Sequence, residues 1–251
     1  MKKTQIYGYY AFGHNYQLIK ADGLKGSSNS SATNDLNAFI NELDFLVLPV
    51  TSMIAENLKG IIRKIPANDE DLSLDVSSSI TEEMEKIDPA LDAELQLKDA
   101  FILTEKRFSL KSLTESPKSL LAHGVFEKLS DSTKKDFTSA CMQIALSQPT
   151  GAAFHLMRAL EAEVKHLYFE YKKQNRLERP MWAAMIQQLR AKRNPKPEVK
   201  TLDLLDSVRI HFRNPTQHPE AFYSLDESQD LMNQTITAIN MIQREIARKN
   251  S

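Results

Sequence analysis

Apolar side chains recur at three- and four-residue steps along the segment from Thr150 to Tyr171. The stripe that they form is about five helical turns long and consists of Phe154, Met157, Leu160, Val164, Leu167 and Tyr171. A helix with one apolar face of this length has to bury that face against other elements. The segment therefore predicts a long helix inside a helical bundle.

The composition of the chain favours helices throughout. Its 251 residues include only seven glycines, while Leu, Ala, Glu, Lys, Gln and Met are plentiful. Such a composition favours helices over turn-rich β structure. A hydrophobic content of 41% is sufficient for the core of one large domain or two modest ones. We expect a mainly α protein.

The second half of the chain, residues 130–251, is assigned to one up-and-down helical bundle. Its other helical segments are residues 130–146, a short helix with Trp182 after Pro180, residues 201–212, and a C-terminal helix from Ser224. Ser224 and Glu227 have the spacing of a capping box, in which each residue satisfies a backbone donor of the other. The C-terminal helix is therefore expected to begin at Ser224.

The first half is divided into an N-terminal extension with a linker, residues 1–34, and a mostly helical region, residues 35–129. The aromatic-rich start suggests a short strand or hairpin that turns near Gly13. Residues 25–34, KGSSNSSATN, have the composition of a mobile linker. Asp35 is the expected N-cap of the first helix.

Two prolines are expected to divide the helices of the first half. Pro49 should interrupt the first helical pattern, because proline lacks the backbone donor of a helix interior. A short helix is expected around Thr81, and Asp88-Pro89 should begin another one.

The sequence predicts a cytoplasmic protein without a membrane partner. No apolar run is long enough to span a bilayer, and the N-terminus has no apolar signal core. Cys141 is the single cysteine, which excludes an intramolecular disulfide and a cysteine-rich zinc site. Its context favours a small, buried apolar side chain.

The charges are unevenly distributed although the formal net charge is only -1. Residues 66–100 contain eleven acidic residues against two lysines, and residues 158–213 contain thirteen Lys or Arg against seven acids. The basic stretch includes Lys192 and Arg193, which are candidate RNA contacts. Charge alone also fits ordinary solvated faces, so both interpretations stay open. A third interpretation is that the acidic segment from Asn68 to Asp99 acts as a sensor, or as an inhibitory cover that mimics RNA charge over the basic site.

The hexapeptide from Arg213 to His218 is the strongest candidate site. Asn214 precedes a proline and is biased away from helical angles, so Arg213 is expected at or just past the end of its helix. Arginine stays charged at any working pH and binds phosphate through two parallel hydrogen bonds, whereas histidine titrates near neutrality. Together the two side chains could cleave RNA without a metal.

These residues resemble the HEPN domain family, four-helix bundles whose RNase members carry Arg, four to six residues, then His. The resemblance extends over residues 130–249 and also rests on Asn214, Pro219, Tyr223, Trp182 and the phrase FHLMRALE at residues 154–161. It implies a HEPN-like four-helix up-and-down bundle. It does not extend to the first half of the chain.

The resemblance also implies an activity. The ribose 2′-hydroxyl would attack the adjacent phosphate and leave a 2′,3′-cyclic phosphate and a 5′-hydroxyl, without a metal or cofactor. His218 would move a proton, Arg213 would neutralise charge on the phosphate, and Asn214 would orient either group. Family members pair two motifs across a dimer, which implies a homodimer with a composite site. A nuclease of this kind would act in phage defence, in abortive infection or as a toxin. An antitoxin or another defence-system component would be a further candidate partner, beside RNA.

The alternative is a noncatalytic helical module that binds nucleic acid or protein. Arg213 would then cap the carbonyls of its own helix, and His218 would be an exposed loop residue. Arg158 and Glu161 stand about one helical turn apart and would pair with each other, with support of the site as their second role. Tyr223 belongs to the same supporting set.

Other enzyme classes lack their motifs in this sequence. It contains no glycine-rich phosphate loop, no G-x-S-x-G elbow, no H-E-x-x-H pair and no dinucleotide fingerprint. His211 and His218 lack the cysteine and carboxylate spacing of a metal pair. We therefore expect no metal site.

Overall fold

A computed structural model describes residues 6–218 and 220–250, and helices make up its regular structure. The mainly α prediction is confirmed. The chain forms two compact units, Met1–Phe101 and Ile102–Ser251. This boundary differs from the one expected after residue 129, because Leu113, Leu121 and Val125 are buried in the core of the second unit. Over the described residues, extended pairing is limited to one isolated antiparallel bridge, between Ser28 and Asp71.

The first unit contains five α-helices over its described residues. They are α1 (Ile6–Asp22), α2 (Asn29–Leu46), α3 (Pro49–Ile54), α4 (Glu56–Ile62) and α5 (Leu74–Gln96). The predicted N-terminal hairpin is wrong, since Gly13 lies inside α1. The physical reason is packing: Phe12 is buried and stacks on Phe39 of α2, with ring centroids 5.7 Å apart.

The predicted linker is also wrong, because its polar residues start a helix. Ser28 is the N-cap of α2, and its hydroxyl accepts a hydrogen bond from the backbone N–H of Ser31 at 3.3 Å. Asn29 is buried, and its side chain donates to Asn68 at 2.7 Å. Serine and asparagine suit caps as well as loops, and here the tertiary contacts select the cap. Asp35 lies inside α2 rather than at its start.

The two prolines of the first unit behave differently. Helix α2 ends before Pro49, which opens α3 as the sequence predicts. Pro89 instead lies inside α5, so the two predicted helices are one. Ile87 and Leu91 keep the helical spacing on either side of this proline and are both buried. Burial of one continuous apolar face outweighs the lost hydrogen bond.

The second unit is a helical bundle. Its elements are α6 (Leu110–Thr114), a 3₁₀ turn (Pro117–Leu120), α7 (Val125–Lys128), α8 (Asp131–Ala145), α9 (Pro149–Tyr171), α10 (Trp182–Arg190), α11 (Val199–Val208), a π turn (Arg209–Arg213), α12 (Asn214–Thr216) and α13 (Leu225–Asn250). Helix α9 packs most extensively against α8 and α13. The short connection between α8 and α9 makes them antiparallel neighbours.

The apolar stripe of α9 supplies the centre of this core. Leu156, Leu160 and Val164 have no exposed surface, whereas Phe154, expected in the same stripe, is 44% exposed. Cys141 of α8 is buried, as predicted, and burial raises the pKa of its thiol to about 12. The thiol therefore stays protonated at neutral pH.

Local capping fixes the starts of two bundle helices, at Ser130 and at Ser224, and the sequence predicts the cap at Ser224. Ser130 is the N-cap of α8, and its hydroxyl accepts a hydrogen bond from the N–H of Thr133 at 3.1 Å. The Ser224 N–H donates to Glu227 Oε2 at 2.8 Å, and the Glu227 N–H donates to Ser224 Oγ at 3.2 Å. The hydrogen bond from the Ser224 N–H also lowers the pKa of the Glu227 carboxyl. Within the described chain, no helix combines the length and the apolar character needed to cross a membrane.

Candidate functional site

The Arg213 segment is a wide helical turn. Helix α11 ends at Val208, and the chain continues as a π turn that is closed by a hydrogen bond from the Asn214 N–H to the Arg209 carbonyl. Asn214 has helical angles, φ -65° and ψ -49°. The predicted bias of Asn214 away from helical angles is therefore wrong, and Arg213 lies in a helical turn that continues past the end of α11. The extra residue of a π turn relieves the clash that Pro215 would cause in a regular helix.

The guanidinium of Arg213 is anchored to α9. Its Nε and Nη2 atoms both lie 3.4 Å from Oε2 of Glu161. The Arg213 side chain is only 19% exposed, and that of Glu161 is 25% exposed. The other oxygen of Glu161 pairs with Lys165 Nζ at 3.2 Å. The carboxylate thus fixes the position of the cation while another cation shares its charge.

Tyr223 ties the far end of the site loop back to the π turn. Its hydroxyl lies 2.6 Å from Thr216 Oγ1 and 3.2 Å from the Phe212 carbonyl, and Thr216 Oγ1 lies 2.6 Å from the same carbonyl. The Tyr223 N–H donates to Thr150 Oγ1 at the start of α9, at 3.2 Å. Both ends of the loop are therefore fixed, one by Arg213 and one by Tyr223.

His218 lies within this anchored loop with its side chain exposed. Its N–H donates to the Pro215 carbonyl at 2.8 Å, and its own carbonyl accepts from the Ala221 N–H at 3.1 Å. Among the described residues the imidazole has no hydrogen-bond partner. Asn214 is also exposed. Pro219, part of the resemblance, lies outside the described residues.

Arg158 and Glu161 do not pair with each other. Arg158 Nε lies 3.2 Å from Asp136 Oδ2, and His155 Nδ1 lies 2.8 Å from the other oxygen of Asp136. Sequence reasoning missed Asp136. The available indication was its position on the buried face of α8, one residue before Phe137, where an unpaired carboxylate would be costly.

Lys192 and Arg193 follow α10, and no described contact joins either side chain to Arg213 or His218. Their role in RNA binding stays a prediction. Other cations of the basic stretch are paired with acids: Arg190 Nη1 lies 2.7 Å from Asp203, and Arg209 Nε lies 2.9 Å from Asp206. The sequence count therefore overstates the free positive charge of this region.

Sequence reasoning also did not assign two exposed aromatic side chains near the site to it, Phe154 and Phe222. Phe154 was expected in the buried stripe of α9. The available indication for Phe222 was its position directly before Tyr223, in a segment without apolar periodicity. No group of three or more His, Cys, Asp or Glu side chains that could hold a metal ion occurs within the described residues.

No family model, no curated protein and no solved structure matches the chain. The resemblance to HEPN domains therefore rests on its motif residues.

Proposed function

We propose that this protein is a metal-independent endoribonuclease. The observation that carries the proposal is that one short segment contains both a fixed cation and a free imidazole. Arg213 is held by Glu161, and His218 is exposed on the loop that Tyr223 anchors. A rigid guanidinium can stabilise a phosphate whose charge increases during the reaction. An exposed imidazole without a hydrogen-bond partner is free to accept a proton from, or donate one to, the reacting oxygens.

The proposed reaction is an internal transfer within the RNA strand. One basic group takes the proton of the ribose 2′-hydroxyl, the 2′-oxygen bonds to the adjacent phosphorus, and the 5′-oxygen leaves with a proton. The products are a 2′,3′-cyclic phosphate and a 5′-hydroxyl. His218 serves one of these two proton transfers, Arg213 binds the phosphate oxygens, and exposed Asn214 orients the phosphate.

A homodimer would supply the second proton-transfer group. Each protomer carries one His218, and the resemblance implies that two motifs meet in a composite site. Such a nuclease acts in phage defence, abortive infection or as a toxin, and an antitoxin or another defence component would then restrain it.

A second candidate function follows from the Arg213–Glu161 contact itself. Because the guanidinium is mostly buried and already paired, it can serve as a structural tie between the π turn and α9. The protein would then be a noncatalytic helical module that binds nucleic acid or protein.

Cleavage assays separate the two candidates. The wild type should degrade RNA in the presence of EDTA and leave cyclic phosphate ends. His218→Ala should abolish cleavage, and Arg213→Lys should impair it strongly, because lysine cannot form the bidentate contact. His123→Ala is the matched control, since His123 is an exposed histidine in the segment before α7. Equal behaviour of wild type and His218→Ala, with both folded, would favour the binding module.

A latent nuclease requires a test in cells as well. The wild type and His218→Ala are each expressed in bacteria, with and without phage. Only the wild type should stop growth and fragment cellular RNA. Indistinguishable growth and intact RNA in both strains would count against the nuclease.

A further inference from the structure

Two aromatic side chains near the Arg213 turn are exposed to solvent. Phe222 is 84% exposed and Phe154 is 44% exposed. Phe222 directly precedes Tyr223, whose backbone and hydroxyl are both hydrogen-bonded. The main chain that follows Phe222 is therefore fixed in position. A large apolar side chain that stays exposed does not contribute the free energy of its burial to folding. Exposed apolar surface held in a fixed position therefore indicates a candidate binding surface.

The contacts of α9 place both aromatic residues beside the candidate site. Thr150, Phe154 and Glu161 are separated by four and seven residues, so they lie on one face of the helix. Thr150 binds the backbone of Tyr223, and Glu161 binds the Arg213 side chain. The loop that carries His218 is therefore anchored at two points of this face, and Phe154 lies between them.

Positive charge accompanies the aromatic residues. Arg158 follows Phe154 by one turn of α9; its Nε contacts Asp136, and its side chain is 71% exposed. Lys165 lies on the same face, is partly exposed and pairs with Glu161 at 3.2 Å. Ion pairs this exposed contribute little energy, so a phosphate can compete for both cations. Aromatic rings next to exposed cations are typical of proteins that bind single strands, where bases stack on the rings and phosphates contact the cations. Arginine and phenylalanine are also enriched at protein–protein interfaces, whereas lysine is depleted from them. The position of the rings beside a site proposed to bind phosphate favours a nucleic acid over a second protein chain.

We propose that Phe222 and Phe154 form a stacking surface for unpaired bases next to the Arg213–His218 site. This inference rests on the proposed function and adds a base-binding surface to it. A duplex keeps its bases stacked on one another and does not present their faces to side chains. The surface therefore selects loops, ends and unpaired stretches.

The test measures RNA binding by the full chain in the His218→Ala background, which prevents cleavage. Fluorescence anisotropy compares a short unstructured RNA oligonucleotide with a duplex of the same sequence. The single strand should bind more tightly. Phe222→Ala should weaken its binding about tenfold, and Phe222→Trp should retain it, because a base can stack on either ring. Phe101→Ala is the matched control, since Phe101 is an equally exposed phenylalanine in the first unit.

Salt dependence gives a second measurement. Arg158→Ala should reduce the slope of affinity against salt concentration, whereas Phe222→Ala should leave the slope unchanged, because only phosphate contacts release counterions. Three results would overturn the inference. They are a His218→Ala protein that does not bind RNA at all, equal affinity of that protein for duplex and single strand, and RNA binding that Phe222→Ala leaves unchanged. The inference would also be overturned if Phe222→Ala changed only the oligomeric state measured by sedimentation. That result would assign the surface to contact with a second copy of the chain.

The outcomes separate the inference from the proposed function. Cleavage by the wild type with no effect of Phe222→Ala would remove the stacking surface and keep the nuclease. Phe222-dependent binding of single strands without any cleavage would remove the nuclease and keep the surface.

Discussion

Substitution of Glu161 by glutamine should lower the stability of the second unit and at the same time raise its affinity for RNA. The change keeps the shape of the side chain and an oxygen that can accept from Arg213, but it removes the negative charge. Stability should fall because the Arg213 guanidinium, 19% exposed, loses its charged partner. RNA affinity should rise because the carboxylate no longer competes with phosphate for the same cation.

The structure sets the size of both effects. The contacts are 3.4 Å long and partly solvated, so the loss lies between that of an exposed pair and that of a buried one, about 1–2 kcal/mol. A phosphate on the far side of the guanidinium would lie roughly 7 Å from the carboxylate, where two unit charges in water repel by about 0.6 kcal/mol. Removing that repulsion corresponds to about a threefold gain in affinity.

The fluorescence of Trp182 reports unfolding of the second unit alone. It is the single tryptophan of the chain and is buried in the core of that unit. With a urea dependence of about 2 kcal/mol per M, the midpoint should fall by roughly 0.5–1 M. Glu127→Gln is the control, since Glu127 is exposed and has no ion pair among the described residues. RNA affinity is measured in the His218→Ala background.

The two readouts test different parts of the reasoning. A lower midpoint with unchanged RNA affinity would show that Arg213 is a structural tie and does not contact phosphate. An unchanged midpoint would refute the assignment of Glu161 as the residue that anchors the guanidinium.

Three further predictions follow from other contacts of the second unit. Tyr223→Phe removes the hydroxyl bound to the Phe212 carbonyl and should cost about 1 kcal/mol in urea unfolding, with slower RNA cleavage; unchanged values of both would contradict its positioning role. The Glu163 carboxylate, whose Oε2 lies 3.7 Å from His166 Nδ1, raises the pKa of His166, so this histidine stabilises the fold fully below its ordinary pKa of about 6.5 and loses that effect as pH rises through the raised pKa. The wild type should therefore exceed His166→Gln in urea midpoint at about pH 5.5 and match it at alkaline pH, and a pH-independent difference would exclude the linkage. Cys141, with its pKa raised to about 12 by burial, should resist iodoacetamide until urea unfolds the unit, as mass spectrometry can detect; alkylation of the native protein would contradict its burial.

Features set by neighbouring residues could be predicted from the sequence. Ser130 and Ser224 begin helices because their hydroxyls accept backbone hydrogen bonds a few residues away. Pro49 separates α2 from α3 because it lacks a donor. The stripe of α9 predicted its core position, since apolar side chains on one helix face have to be buried together.

Features that depend on distant partners could not be predicted in this way. Helix α1 has no clear apolar face, and the stacking of Phe12 on Phe39 contributes to its packing. Pro89 stays inside α5 because the apolar face continues on both sides of it. Phe154 has the spacing of a core residue, but no element covers it fully.

The sequence by itself determined the helical class of this protein, the capped ends of its bundle helices, and the pairing of arginine with histidine in one short segment. Tertiary structure alone decided which carboxylate anchors Arg213. Glu161 is fifty-two positions away in the chain, and its partner depends on how the π turn packs against α9. The wide turn, the Tyr223 anchor and the exposed aromatic residues depend on the same packing, because each joins segments that local spacing cannot relate.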